Sequence, residues 1–219
     1  MPILGISSAT KIISIGLIDE EKFLVETTVS DIHAEKIMLY VKEAGIEPKQ
    51  IEGIAVAVGP GSYSGLRGGL AVAKSLAQTL RVPIVGVSTL EAIAYNLVDI
   101  EGTMAVILDA KADEYNFALF GASSGKLKRL TDDLVIKFGR LIDKLSKISG
   151  EIHLVGNLKD FKDKIKGQNF HFAEDIHSHP YGINIARLGL EKIKAGKAED
   201  PLKLVPRYSH KPNIREYKR

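Results

Sequence analysis

The chain has 219 residues, of which 45% are hydrophobic, 26% charged and 6% aromatic. That composition excludes a disordered, collagen-like or coiled-coil protein. With no Cys, disulfides, thiolate metal centres and a thiol nucleophile are excluded as well. The net charge of +3 is unevenly divided. Residues 1–125 carry 9 Lys and Arg against 15 Asp and Glu (net −6), and residues 126–219 carry 21 against 12 (net +9). A basic half offers a face to an acidic partner such as nucleic acid, or is a solvated lysine-rich surface. No secretory signal is readable at the N-terminus, and no apolar run reaches the ~18 residues a membrane helix needs. The expectation is a soluble, cytoplasmic protein.

In chain order, Ile3–Ser7, Ile12–Ile18 and Phe23–Val29 read as three strands joined by short polar turns, an antiparallel meander. A helix follows from Ser30 or Asp31, either of which suits the N-cap, with Ile37, Tyr40, Val41 and Ala44 on one face and Gly45 at its end. Ile54–Val58 is apolar without alternation, as in a strand covered on both faces. The loop 59–65 leads into a helix over 66–80, then a strand at Ile84–Val87 and a short helix from Ser88. The order β-β-β-α-β-α-β suggests a ribonuclease-H-like mixed sheet, with a Rossmann layout as the second choice.

The second half predicts strands at Met104–Leu108, Tyr115–Phe120 and Ile152–Val155. Helices are expected at Lys137–Lys147, Leu158–Ile165 and Pro180–Ala195, with Gly196 ending the last. The reading divides the chain into lobes at 1–102 and 103–219, the latter the smaller, with a basic tail.

The most informative stretch is the loop Gly59, Pro60, Gly61, Ser62, Tyr63, Ser64, which continues into Gly65-Leu66-Arg67. It follows a buried strand and opens a helix, where backbone N–H groups and the helix dipole can hold an anion. The phosphate fingerprints nevertheless fail. Ser64 stands where G-x-G-x-x-G needs its third Gly, and Lys74-Ser75 follow Ala73 deep in the helix rather than a Gly. The helix is rich in small residues, and Gly69, Ala73 and Ala77 share one face. That face packs either on its own sheet or against another subunit.

The strings ILGISSAT, IHAEKIMLYVKEAGI, IAVAVGPGSYSGLRGGLAVAKSLA, PIVGVSTLEAIA and ILDAKADEYNFALF resemble the TsaB (YeaZ) family, densely over residues 3–120 and thinly afterwards. TsaB proteins are the non-catalytic subunits of the bacterial machinery that makes threonylcarbamoyladenosine in tRNA. The resemblance implies an α/β, actin/Hsp70-like (ASKHA) fold of two ribonuclease-H-like lobes. It implies pairing with the catalytic paralogue TsaD and the ATPase TsaE, and a homodimer when alone. The helices at about 31–44 and 66–80 would form the pairing surface. The interface residues expected are His33, Ile37, Tyr40, Gly65, Gly69, Ala73 and Ala77 by packing, with Arg67 as a polar anchor. A bulky Ala73→Trp is expected to block pairing.

The resemblance also implies no catalysis, no cofactor and no metal. The paralogue holds its metal with H-x-x-x-H, and here Ile37 stands four residues after His33, where the pair would need its second imidazole. His33 is expected to be packed. Ser7 stands where many TsaB-like chains carry Asp, and a hydroxyl adds no charge to hold hydrated magnesium. A small-molecule kinase or ATPase of the same superfold is the alternative, and a stand-alone RNA-binding module the third reading.

Asp109, Asp113 and Glu114 read as residues of a turn between strands rather than a cation site. His177-Ser178-His179 reads as a helix cap through Ser178 or His179 rather than a metal pair. No G-x-S-x-G elbow supports a protease. The basic tail, with Lys211, Arg215, Lys218 and Arg219 and two interleaved tyrosines, is expected to contact tRNA within the complex.

Overall fold

The computed structural model describes residues 1–20, 22–30, 33, 36–111, 113–159, 161–162, 164–165 and 169–210. The chain begins with the expected meander, β1 (Pro2–Ser7), β2 (Ile13–Asp19) and β3 (Lys22–Val29), followed by α1 (Ile37–Glu43) and β4 (Gly53–Gly59). Helix α2 (Tyr63–Leu80), β5 (Ile84–Ser88) and α3 (Thr89–Ala94) complete the first half. The five strands form one sheet in the order β3-β2-β1-β4-β5, antiparallel in the meander and parallel through β1-β4-β5.

Strand β4 shows why an unbroken apolar run was needed. All seven residues are buried, but the two faces differ in size. Ile54, Val56 and Val58 point to the core shared with α1 and α2, and Ala55 and Ala57 point to the opposite core. Small residues there let a helix approach closely.

The second sheet holds β6 (Gly102–Asp109), β7 (Glu114–Ser123), β8 (Lys126–Arg129), β9 (Leu134–Lys137), β10 (Ile152–Gly156) and β11 (Phe170–Phe172). Its order is β11-β10-β6-β7-β8, with β9 also paired to β7. Helix α4 (Phe138–Leu145) covers one face and α3 the other. The last helix is α5 (Gly182–Lys194). Five layers result: α1 and α2, the first sheet, α5 with α3, the second sheet, and α4.

Four expectations need correction. Helix α1 starts at Ile37 rather than near residue 30, and Lys36 caps it without a side-chain bond; Asp31 lies outside the described residues. The described part of 158–165 is turn, not helix, although Leu158, Phe161 and Ile165 are buried as a helical spacing requires. The short strands β8, β9 and β11 were missed, since runs of three or four residues carry too little periodicity to read. Finally, the division at 102/103 separates the two sheets but not the lobes. Helix α5 and the segment to Tyr208 return to the first sheet, where Ile183, Ile185, Ala186 and Leu188 fill its second core.

Candidate functional site

The glycine loop is occupied by the protein itself. The turn after β1 sits directly on it: Ser62 N–H donates to the Ala9 carbonyl at 2.7 Å, and the Ser8 hydroxyl donates to the Gly65 carbonyl at 2.8 Å. A Cβ added at Gly61 would collide with the Ala9 carbonyl oxygen, one at Gly65 with the Ser8 carbonyl oxygen, and one at Gly69 with the Ser8 hydroxyl. The glycines are therefore present because a strand turn packs backbone to backbone on the helix start. Ser62 is the N-cap, accepting from Gly65 N–H at 3.3 Å, so the helix extends one turn further toward the loop than its apolar residues predict. Pro60 is buried behind the loop, whereas Gly61, Ser62, Tyr63 and Ser64 are exposed.

The small-residue face of α2 points inward. Gly65, Gly69, Ala73 and Ala77 are buried, and Ala73 and Ala77 belong to the core between α2 and the sheet. Ile37 and Tyr40 of α1 lie in the same core. These residues present no surface to another subunit, and Ala73→Trp would break the core before it touched an interface. The spacing identified a face correctly, but spacing does not say whether a face meets its own sheet or a partner. His33 is corrected too: it is exposed, and α1 begins four residues later, so it does not share the buried Ile37/Tyr40 face.

What the two helices do present is the opposite face. Met38 and Leu39 of α1 are 41% and 49% exposed. On α2 the outward positions are Ser64, Arg67, Ala71, Ser75, Gln78 and Thr79, with Gly68 and Val72 half-buried. Two exposed apolar side chains of α1 thus accompany a mixed small and polar face of α2. Arg67 lies over the Tyr63 ring at 4.6 Å, and Tyr63 stacks on Tyr208 at 4.8 Å.

A cleft of roughly 530 Å³ opens between the lobes, with Pro60, Ser88, Glu91 and Lys192 from the first and Asn116, Arg129, Asp132 and Asp133 from the second among its lining residues. Four of its charges are mutually compensated. Arg129 pairs with Asp133 at 2.7 Å and with Glu91 at 3.5 Å, and Lys192 with Glu91 at 3.5 Å. The Ser88 hydroxyl, which caps α3, donates to Asp133 at 2.8 Å and so ties one lobe to the other. The Glu191 pKa is raised by partial desolvation and by the negative charge of Glu91. Ser7, at the end of β1, is fully buried, and its hydroxyl has no hydrogen-bond partner.

The acidic group at 109–114 is a turn, as expected. Asp109 accepts from Lys111 N–H at 2.8 Å, and Lys111 and Asp113 have φ of 71° and 58°. The histidine pair does not cap a helix. Ser178 exchanges bonds with both backbone groups of Gly156 at 3.1 Å, and the His177 and His179 carbonyls accept from Asn96 at 2.6 and 2.8 Å. The N-cap of α5 is instead Tyr181, which makes no side-chain cap bond. Burial pushes the His179 pKa down. Among the described residues, no group of three or more His, Asp or Glu is arranged to hold a metal ion, and no helix is long and apolar enough to cross a membrane. Lys211, Arg215, Lys218 and Arg219 lie outside the described residues.

The comparisons with known proteins converge. Residues 25–189 match the family described as TsaD: tRNA N6-adenosine threonylcarbamoyltransferase. The tRNA threonylcarbamoyladenosine biosynthesis protein TsaB of Bacillus subtilis (strain 168) is 28% identical over 218 residues, 95% of this chain and 93% of that one. YeaZ from Pseudomonas aeruginosa superposes with a TM-score of 0.78 at 19% identity, over 94% of this chain and 99% of that one. The ROK hexokinase of Thermus thermophilus gives a TM-score of 0.51 at 11% identity, over 90% and 100%. The two structural likenesses establish the fold, the two-lobed actin-like arrangement expected from the sequence.

Proposed function

This chain belongs to the TsaD family of tRNA N6-adenosine threonylcarbamoyltransferases, in its TsaB (YeaZ) branch, and from that premise we propose that it is a non-catalytic subunit of a threonylcarbamoyl-transferring assembly. The observation that carries the reading is Ile37. Where the transferase's metal-binding helix needs a second His one turn after His33, this chain has an isoleucine with no exposure, buried in the core beneath α1 and α2. Converting that position to a ligand would open the core. The function left to α1 and α2 is pairing, through the outward face with Met38, Leu39, Arg67 and Ala71.

In this reading a TsaD-like subunit docks on that face, and a second copy of this chain takes its place when the partner is absent. A TsaE-like ATPase and tRNA join the assembly, and the basic second half faces the RNA. Binding favours the partner's active conformation by population shift. The test is reconstitution of threonylcarbamoylation on unmodified tRNA from a TsaD-like and a TsaE-like protein, with and without this chain. Activity is expected only when the chain is present. Ala71→Trp is expected to weaken pairing at least tenfold at near-normal stability, because Ala71 is exposed. Activity without the chain, or undiminished pairing by Ala71→Trp together with Leu39→Arg, would overturn the reading.

The inter-lobe cleft supports a second reading, a small-molecule kinase or ATPase. Ser7 in place of a carboxylate and the compensated charges of the lining oppose it. Calorimetric titration with ATP and magnesium separates the two.

A further inference from the structure

The first glycine of the loop, Gly59, is not used by the turn that fills the rest of it. Its φ of 117° is one that side chains avoid, and an added Cβ would collide with the carbonyl oxygen of Arg207. The residue it receives is nearly 150 positions later in the chain. We propose that residues 204–210 form a strap, seated on Gly59, that latches the two lobes together and sets the opening of the cleft between them.

The strap is attached at both ends. On the first lobe, Leu204 is buried in the core of α1, α2 and the sheet, and its carbonyl accepts from the Lys74 ammonium at 3.2 Å. Arg207 N–H donates to the Val58 carbonyl at 2.6 Å, immediately before the Gly59 contact. The Tyr208 ring stacks on Tyr63 of α2. One residue later the chain has crossed. Ser209 donates to the side-chain oxygen of Asn116 on β7 at 2.7 Å, and Asn116 is 4% exposed. His210 donates to the Ala110 carbonyl at 3.1 Å and lies 3.4 Å from Glu114. Arg207, Tyr208 and Ser209 thereby form one wall of the cleft, facing residues 132–135. Rotation of one lobe against the other must break either the Tyr208 stack or the Asn116 and Ala110 bonds.

The closure carries a built-in cost. The Tyr208 hydroxyl is buried without a hydrogen-bond partner, so it loses water and gains nothing in return. Closure is thus favoured by stacking and backbone bonds and opposed by one desolvated hydroxyl, which makes the strap releasable rather than a fixed part of the core. Lobe closure by hinge motion is a recurring device for opening and sealing a cleft.

The absence of Cys makes the test clean, since two introduced cysteines take spin labels at defined sites. With Gln78→Cys on α2 and Lys144→Cys on α4, both exposed, the otherwise unaltered chain is expected to give one narrow inter-lobe distance. Adding Tyr208→Ala with Ser209→Ala is expected to broaden it and add a longer population, with amide exchange at 207–210 and at Asn116 faster by about tenfold. Tyr208→Phe removes the desolvated hydroxyl and keeps the stack, so its exchange is expected to slow. An unchanged distance distribution in the double variant, with or without faster exchange of the strap, overturns the latch. Faster exchange in Tyr208→Phe overturns it as well.

Discussion

In the first lobe, helix α5 lies on its sheet with backbone against backbone. Gly5 and Gly16 face each other across β1 and β2, and a Cβ at either would collide with the backbone of Gly182, Ile183 or Ala186. At Gly189 an added Cβ would strike the Ala55 methyl group instead. The second lobe is filled by bulk. Phe117, Phe120 and Phe161 have no exposure, and Tyr115, Phe138 and Phe161 pack edge-to-face or tilted with ring centroids 4.8 to 6.5 Å apart. One region excludes added atoms, and the other depends on atoms already there. Close approach suits a helix that must thread between two sheets, while an outer helix such as α4 has space to accept aromatic side chains beneath it.

The largest effects should come from attacking each region in its own way. Phe161→Ala leaves a cavity under α4 and is expected to cost about 3–5 kcal/mol. Gly16→Ala adds a single methyl and is expected to cost about 3 kcal/mol, because the atoms it strikes are helix backbone. Chemical denaturation of both variants measures this. If Gly16→Ala were neutral, the backbone-to-backbone contact would not be the organising feature of the first lobe.

Next in size is the start of α5. The helix has no side-chain cap from its own neighbours. Two strands supply one instead: Gly182 N–H donates to the Ser14 hydroxyl at 2.8 Å and Ile183 N–H to Glu26 at 3.2 Å, while Ser14 donates to Glu26 at 3.1 Å. A carboxylate at a helix N-terminus is favoured by the dipole. Glu26→Gln is expected to cost about 1 kcal/mol by thermal melting.

A glycine outside the close contact should behave in the opposite way. Gly139 lies in α4 with nothing near its would-be Cβ. Gly139→Ala is expected to stabilise the chain by about 0.5–1 kcal/mol, the mirror image of Gly16→Ala.

The smallest expected effect is on pH dependence. Burial and the neighbouring His171 push the His153 pKa down, and burial does the same for His179. Below pH ~6.5 the unfolded chain binds protons at these sites more readily than the folded one. Stability is therefore complete above that pH and falls as pH drops through the lowered folded values. His153→Gln with His179→Gln is expected to flatten the slope of Tm against pH below about 6.5. An unaltered slope would assign acid sensitivity to other groups.

The meander, β4, α2 and α5 were legible because each is long enough to express a period or an unbroken apolar run, and because Gly45, Gly196 and the loop glycines mark ends and close approaches. The family, too, was legible in the order GPGSYSGLRGGL. Gly69, Ala73 and Ala77, expected at an interface, are buried in their own fold, since they form the same stripe whether sheet or subunit lies against them. The glycines at 5 and 16 carried a signal that was passed over: a Gly inside a strand marks a close backbone approach.

The sequence by itself determined the longer strands and helices, which face of each is apolar, and which family the chain joins. These follow from local periodicity and an ordered string of residues. Only the tertiary structure decided that α5 crosses back onto the first sheet, that Ser14 and Glu26 cap it from two strands, that the small face of α2 is internal, and that Gly59 seats Arg207. Each of these joins residues far apart in the chain, and neither residue's own neighbours differ according to whether the contact forms.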